Sequence, residues 1–392
     1  FIVVGGAKMD PEISRFYETL GFYALEGYGL TETAPVIAVN SKKERKIGTI
    51  GKKLYNVDVK IENEELWVKG PIVMKGYYNK PEKTAEVMTE DGWFKTGDLA
   101  KIDEEGYITI IGRRNSMIVL SNGKNIEDKG RLEKLEDILV KMGLVPIFTK
   151  YIYKDKVGRG AKVQVRAEEL ISFYKNKEIK AIFDISGGDI ANEVLDYLDY
   201  DAIKRNYKPF FGYSDLTTIL NALGSQTNEV NYLYKILNII ESTEIRDSFE
   251  NTFMKNEQTL LDVKWKFLQG SSVEGEVIGG NIRCFLKLAG TRYFPEVENK
   301  ILFIEGLGTS IEGLATHLAQ LKQIGVFDKI SGLLIGTFTK IEKEISVEEL
   351  FELVQAYIPS SLAVAKTQEV GHAKNSKALK IGEKIYIKNE LI

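Results

Sequence analysis

The sequence predicts an α/β protein in two parts, a strand-rich α+β section up to about residue 115 and a layered α/β section after it. Three observations predict this. Ahead of Asn115, short alternating runs such as Val57 to Ile61 and Tyr107 to Ile111 are separated by turn signals, Asn79-Lys80-Pro81 and Asp91-Gly92 among them. Beyond Asn125, amphipathic helical patterns alternate with short apolar strands. Twice in that section an apolar run meets a sharp turn that opens a helix, at Ala181 to Ile185 before Ser186-Gly187-Gly188 and at Pro209 to Leu216.

The opening residues, Phe1 to Val4, read as a buried strand, and a start at Phe1 rather than at methionine reads as that of a fragment. The change of pattern puts a boundary between residues 116 and 126. After it, Gly130 to Met142 places Leu132, Leu135, Ile138, Leu139 and Met142 at helical spacing. A helix follows the Gly187-Gly188 pair, and another covers Thr217 to Leu223. Lys300 to Ile304, Gly332 to Gly336 and Ala363 to Val370 read as strands. Ile311 to Ile324 reads as a helix with Leu314, Leu318 and Leu321 on one face.

Composition narrows the function. The chain has 392 residues, 44% apolar and 28% charged, with a net charge of −3, so nothing electrostatic points to nucleic acid or to an anionic membrane. The basic run Ser41 to Lys46 is short and reads as a solvated loop. Cys284 is the single cysteine, which excludes an intrachain disulfide and a cysteine-rich zinc site. No apolar run reaches the roughly 18 residues of a membrane span, and the first residues lack the order of a signal peptide, so a cytoplasmic protein is expected.

Ser214 is the candidate nucleophile. It stands in Gly212-Tyr213-Ser214-Asp215, on the turn between a strand and a helix, where helix N-terminal amides lie close to a developing oxyanion. A serine hydroxyl needs a base at neutral pH, most often a histidine held by a carboxylate. The chain has two histidines. His317 falls inside the helical pattern and reads as a helix-surface or partly buried side chain. His372 follows Gly371 in a loop of small and polar residues, a usual placement for a catalytic group. Glu305 ends the apolar run Ile301-Leu302-Phe303-Ile304, at a strand's carboxyl end where α/β active sites gather. The order Ser, Glu, His is one that α/β hydrolases use.

Together, Ser186-Gly187-Gly188-Asp189, Tyr197-Leu198-Asp199-Tyr200-Asp201, Gly212-Tyr213-Ser214-Asp215, Gly279-Gly280-Asn281, Leu302-Phe303-Ile304-Glu305 and Gly371-His372 resemble the LD-carboxypeptidase and microcin-immunity family of serine peptidases. The resemblance covers about Met117 to Ile392. It implies a layered hydrolase with a Rossmann-like N-terminal sheet subdomain, residues 116–245, and a swivelling β-rich C-terminal subdomain, residues 246–392. It implies a triad of Ser214, His372 and Glu305 and no cofactor. It also implies an oxyanion hole made by the amides of Asp215 and Gly188, with Gly187 and Asn281 as substrate contacts; Asn281 reads equally as a turn residue. The implied substrate is a small peptide, such as a cytosolic muropeptide ending in D-alanine, or an aminoacyl-nucleotide, and a homodimer is an open assembly state. Ser186 stands where the muropeptidase pattern has arginine, which brings the chain closer to the immunity-type branch. Trp265 is either a base-stacking aromatic or a core residue.

A second ordered set lies in residues 1–115. Gly27-Tyr28-Gly29-Leu30-Thr31-Glu32-Thr33, Gly92-Trp93-Phe94-Lys95-Thr96-Gly97-Asp98 and Gly112-Arg113-Arg114-Asn115 are similar to the adenylate-forming enzymes, in particular the acyl-CoA ligases. That resemblance implies that Thr31 contacts a nucleotide, Glu32 helps hold Mg²⁺, Asp98 and Arg113 meet the ribose, Gly5-Gly6-Ala7 lines adenine and Asn115 is a hinge. It equally implies that ATP and Mg²⁺ bind only in a complete ligase, whose phosphate-gripping loop and C-terminal domain are not found in this sequence, so the nucleotide residues read as vestigial. Ser116-Met117-Ile118-Val119-Leu120-Ser121-Asn122-Gly123 fits the hydrolase's first central strand and equally continues the ligase motif, so Met117 to Leu120 is expected at the sheet centre. Two other readings stay open: an AMP-forming long-chain acyl-CoA ligase fragment, and an inactive fusion that binds a nucleotide or a partner.

Overall fold

The structure, a computed structural model, describes residues 2–5, 9, 11–113, 117–121, 129–148, 162–185 and 189–389. The chain divides into two compact units, Phe1–Met117 with Gly143–Val145, and Ile118–Met142 with Pro146–Ile392.

The first unit holds β1 (Ile2–Val4), α1 (Pro11–Thr19), β2 (Ala24–Tyr28), β3 (Ala38–Val39) and β4 (Lys52–Lys53), with the strands hydrogen-bonded in that order. A second sheet is an antiparallel meander of β5 (Asp58–Glu62), β6 (Glu65–Lys69), β7 (Phe94–Ile102) and β8 (Ile108–Arg113), with α2 (Pro81–Val87) inserted before β7. Asn63 and Glu64, at φ of 50° and 64°, form the two-residue turn that matches the twist of the β5–β6 hairpin. Ile37, Val57, Leu66, Val68 and Ile108 form the core of this unit. One expectation fails here: Ile2 and Val3 are 36% and 66% exposed, so the opening run is not a buried strand. β1 is an edge strand that pairs only with β2.

In the second unit the chain runs β9 (Met117–Ser121), α3 (Lys129–Lys141), β10 (Val145–Phe148), α4 (Val163–Lys175), β11 (Ile179–Asp184), α5 (Tyr200–Arg205), β12 (Phe210–Gly212), α6 (Thr217–Thr227), β13 (Asn231–Leu233), α7 (Asn238–Glu241) and α8 (Thr243–Met254). It continues with β14 (Lys266–Gln269), β15 (Ser272–Asn281), α9 (Ile282–Leu286), β16 (Ile301–Gly306), α10 (Ile311–Gln323), β17 (Gly332–Phe338), α11 (Val347–Gln355), β18 (Ala363–Lys366), β19 (Leu379–Ile381) and β20 (Lys384–Lys388). The first sheet has the order β10-β9-β11-β12-β13-β19, and the second β14-β18-β17-β16-β15-β20.

In each sheet the strands that carry the candidate site run parallel, β11 to β13 in one and β15 to β18 in the other. Strands covered on both faces must be apolar throughout, and Ile301, Leu302, Phe303 and Ile304 are each 0% exposed. The antiparallel β19 carries the C-terminal part of the chain back to β13, so this segment belongs to the first sheet although it follows the second in sequence. No helix among the described residues is long and apolar enough to cross a membrane.

Three details differ from the sequence reading. Met117 to Leu120 lies one strand in from the edge rather than at the sheet centre, because β10, unsuspected in the sequence, pairs outside it. The helix after the glycine pair is a 3-10 segment, Ala191–Tyr197. The strand read as Ala363 to Val370 stops at Lys366, whose buried ammonium is held by Gly336 O, Thr367 O and Glu342. Beyond it Thr367 N bonds Ile335 O and Thr337 N bonds Val370 O, and the residues that follow run as a loop.

Candidate active site

Ser214 follows β12 after one residue, Tyr213, and its φ is +55°. A non-glycine residue in that region is strained, and strain of this kind gathers where a side chain must be aimed into a cleft. The turn continues as a 3-10 segment, Ser214–Leu216, and then as α6. Asp215 is buried. Its carboxylate accepts hydrogen bonds from Ala191 N at 2.8 Å and Lys287 Nζ at 2.5 Å, which ties the loop after β11 to the turn after β12.

Glu305 stands near the carboxyl end of β16, 1% exposed, where the register with β17 shifts. Its two oxygens have separate partners: Asn281 Nδ2 donates to Oε1 at 3.1 Å, and Oε2 lies 2.6 Å from His372 Nδ1. A carboxylate on Nδ1 fixes the imidazole with its Nδ1–H donated and leaves Nε2 as the acceptor. That Nε2 is buried and has no hydrogen-bond partner among the described residues, and His372, Glu305 and Ser214 line one cavity with Tyr213, Tyr234 and Lys235. The Tyr213 ring lies 5.5 Å from the His372 ring.

The Gly279-Gly280-Asn281 block is explained by close packing. Gly280, at φ +138°, leaves no space for a Cβ, which would sit 2.6 Å from Thr217 Oγ1. Asn281 N donates to that same Thr217 hydroxyl at 2.9 Å, and Asn221 donates to Gly279 O and accepts from Gly279 N, both at 2.8 Å. The helix behind the nucleophile is thus bolted to the strand behind the carboxylate. Asn281 has its side chain on Glu305 and on Cys284 N, as the cap of α9, so it holds the carboxylate. Thr217 and Asn221 were not foreseen. The available signal was a pair of polar residues four apart in the buried first half of the helix, beside Ile219, Leu220, Ala222 and Leu223.

On the histidine's side, Asn238 Nδ2 reaches Ala373 O at 3.3 Å and Ser376 O at 3.4 Å, holding the loop from β13's side. Gly371 has φ +152°, and a Cβ there would lie 1.9 Å from Thr337 Oγ1. Gly371→Ala is therefore expected to destabilise the fold by about 2 kcal/mol, from the strained φ and the overlap, and to shift His372. Urea unfolding and the catalytic rate measured on one preparation check it.

The other expected residues sit as follows. Ser186, Gly187 and Gly188 lie outside the described residues. His317 is on α10, half-buried, with burial pushing its imidazole pKa down and Arg283 adding to this. Trp265 packs edge-on to Phe303 in the core. In the first unit, Thr31 and Glu32 share a 3-10 turn, and Tyr77's hydroxyl donates to Glu32 at 3.0 Å. Asp98 on β7 is in register with Arg113 on β8 and accepts from the Tyr28 hydroxyl. Gly6, Ala7 and Asn115 lie outside the described residues.

Comparison with known proteins places the second part of the chain in a family. Residues 116–234 match the family model for the LD-carboxypeptidase N-terminal domain, and residues 274–387 that for the C-terminal domain. From residue 116 the chain belongs to the LD-carboxypeptidase family. A Treponema pallidum protein named as a carboxypeptidase is 28% identical over 239 residues, 54% of this chain and 71% of that one. The solved microcin C7 immunity protein MccF in complex with glutamyl sulfamoyl guanosine is 25% identical, with a TM-score of 0.62, covering 70% of this chain and 93% of that one. Residues 1–78 match the model for AMP-binding enzymes. The long-chain-fatty-acid–CoA ligase FadD15 of Mycobacterium bovis is 40% identical over 147 residues, 36% of this chain. The chain spans only 24% of that ligase.

Proposed function

We propose that residues 116–392 form a serine carboxypeptidase or amidase working through Ser214, His372 and Glu305, with residues 116–245 bearing the nucleophile and residues 246–392 the other two. The observation that carries this reading is the buried His372–Glu305 pair, whose unpartnered Nε2 shares a cavity with a serine held at positive φ. Ser214 Oγ attacks the amide carbonyl carbon while His372 Nε2 takes its proton. Glu305 holds the imidazole and stabilises its charged form. The oxyanion is met by the Asp215 amide, together with one from the Gly187-Gly188 turn. His372 then gives the proton to the leaving nitrogen as the C–N bond breaks. Water, deprotonated by His372, next attacks the acyl-enzyme, and the acid leaves as Ser214 recovers its proton.

In this reading the hydrolase needs no cofactor and acts in the cytoplasm on a D-alanine-ended peptide or an aminoacyl-nucleotide. The second substrate is supported by the likeness to MccF solved with glutamyl sulfamoyl guanosine. Purified protein incubated with a tetrapeptide ending in D-alanine, and separately with an aminoacyl-nucleotide, is expected to release the amine of at least one. Turnover of neither sinks the reading.

A second reading concerns residues 1–115 alone and is favoured by the 40% identity of a 147-residue stretch of the chain to an acyl-CoA ligase: that they retain nucleotide binding. Titration calorimetry with ATP tests it. ATP- and CoA-dependent thioester formation is not expected from the quarter of a ligase that is matched here.

A further inference from the structure

Two lysines line the cavity around Ser214 and His372, and they are used differently. Lys377 is paired with Glu369 at 3.0 Å and donates to Asp262 O. The Lys235 ammonium has neither an ion pair nor a hydrogen bond among the described residues, although the residue is half-buried. Its ammonium rests over the Tyr213 ring, 5.3 Å from the centroid. That ring is also the neighbour of His372, so one aromatic side chain separates the free cation from the catalytic base.

The surrounding charge does not neutralise it. Glu241, the nearby carboxylate, is already shared by Arg131 at 2.5 Å and Lys374 at 3.1 Å. Three cations, Arg131, Lys374 and Lys235, therefore act on one carboxylate. Burial, and then Arg131, hold the Lys235 pKa below the usual lysine value, with Glu241 opposing them. Further polar groups among the cavity-lining residues lack partners: Tyr234 Oη and Ser376 Oγ are both buried and make no hydrogen bond. Burying polar atoms unpaired is costly, so a wall with a free ammonium and unused hydroxyls is built for a ligand that brings the missing acceptor.

We propose that Lys235 is the substrate anchor of this site, binding an anionic group on the leaving side of the scissile amide. The inference rests on the hydrolase reading above and specifies what that site selects. Two sources supply the chemistry: the α-carboxylate of a terminal amino acid, two bonds from the amide nitrogen, and the charged sulfamoyl or phosphoryl linkage of an aminoacyl-nucleotide, attached to that nitrogen directly. In each, a negative oxygen or nitrogen leaves with the amine. A neutral amide at the same place would give the ammonium no charge to meet.

Binding in the Ser214→Ala background separates this from catalysis. Calorimetry is run with N-acetyl-L-lysyl-D-alanine, with its C-terminal amide and with glutamyl sulfamoyl guanosine, on Ser214→Ala protein carrying Lys235, Lys235→Met or Lys235→Arg. An anionic probe is expected to bind the Lys235 protein about 10- to 100-fold more tightly than the neutral amide, as a charge-assisted contact implies. Lys235→Met should remove that preference and Lys235→Arg should keep most of it. Dependence confined to the peptide acid assigns the carboxylate, and dependence confined to the guanosine compound assigns the nucleotide linkage. Equal binding of acid and amide, with no loss for the guanosine compound in Lys235→Met, overturns the anchor even if the wild-type enzyme turns over both substrates. A Lys235-dependent preference in a protein that hydrolyses nothing upholds the anchor and removes the hydrolase reading instead.

Discussion

Ser214→Ala is expected to lower kcat by about a million-fold, with KM little changed, because groups that act as a unit lose nearly everything when one is removed. The size of the effect follows from the geometry. His372 Nε2 is buried and makes no hydrogen bond among the described residues, so without the hydroxyl its proton-accepting capacity serves no nucleophile. The single cysteine is not ready to replace the serine, because burial pushes the Cys284 thiol up to about 12. The fold should not suffer. Alanine keeps the Cβ and hence the strained φ of +55°, so its stability should match wild type, whereas Ser214→Gly should be more stable by about 1 kcal/mol through relief of that strain. Steady-state rates and urea midpoints for the three proteins test both statements. An alanine variant retaining more than a hundredth of the wild-type rate would falsify the assignment of Ser214.

Much of this site could be read before any coordinates, and the reason is local. A strand that ends in a sharp turn and opens a helix announces itself within eight residues, so Ser214 and its elbow were legible. Glu305 was legible because a continuous apolar run, Ile301 to Ile304, ends on it. His372 stood out through the scarcity of alternatives, since the only other histidine lies on α10. What sequence could not give was contact between distant segments. Asn281 holds Glu305 because β15 and β16 pair in register, and Thr217 and Asn221 clamp the glycine pair because α6 lies against β15. Those links join positions roughly 24 to 64 apart in the chain, and no spacing rule reaches across them. The same limit explains β10 and β19, short strands whose place is set by pairing rather than by their own pattern. The edge position of β1 was misread for a related reason: apolar residues mark a strand, but burial depends on what packs over it.

Glu305→Gln is expected to lower kcat by about ten-thousand-fold with little loss of stability, and the reason is the proton on the histidine. With glutamate, Oε2 accepts from Nδ1–H and leaves Nε2 free to take the serine proton. Glutamine can keep its carbonyl oxygen on Asn281 Nδ2, which replaces the 3.1 Å bond to Oε1 and preserves the packing. Its amide nitrogen then faces His372 and donates, so Nδ1 must become the acceptor and the ring proton moves to Nε2. A protonated Nε2 can donate to Ser214 but cannot act as its base. Glu305→Ala should behave differently: it strands Asn281 Nδ2 and His372 Nδ1 in a buried site and costs about 1–3 kcal/mol for each group left unsatisfied. Comparing the two separates a positional carboxylate from a merely structural one. If Glu305 only supports the fold, the glutamine variant, being well packed, stays within tenfold of the wild-type rate and only the alanine variant fails. If it sets the tautomer, glutamine is nearly inactive while its urea midpoint is unmoved, and NMR of the imidazole places the proton on Nε2 in that variant and on Nδ1 in the wild type.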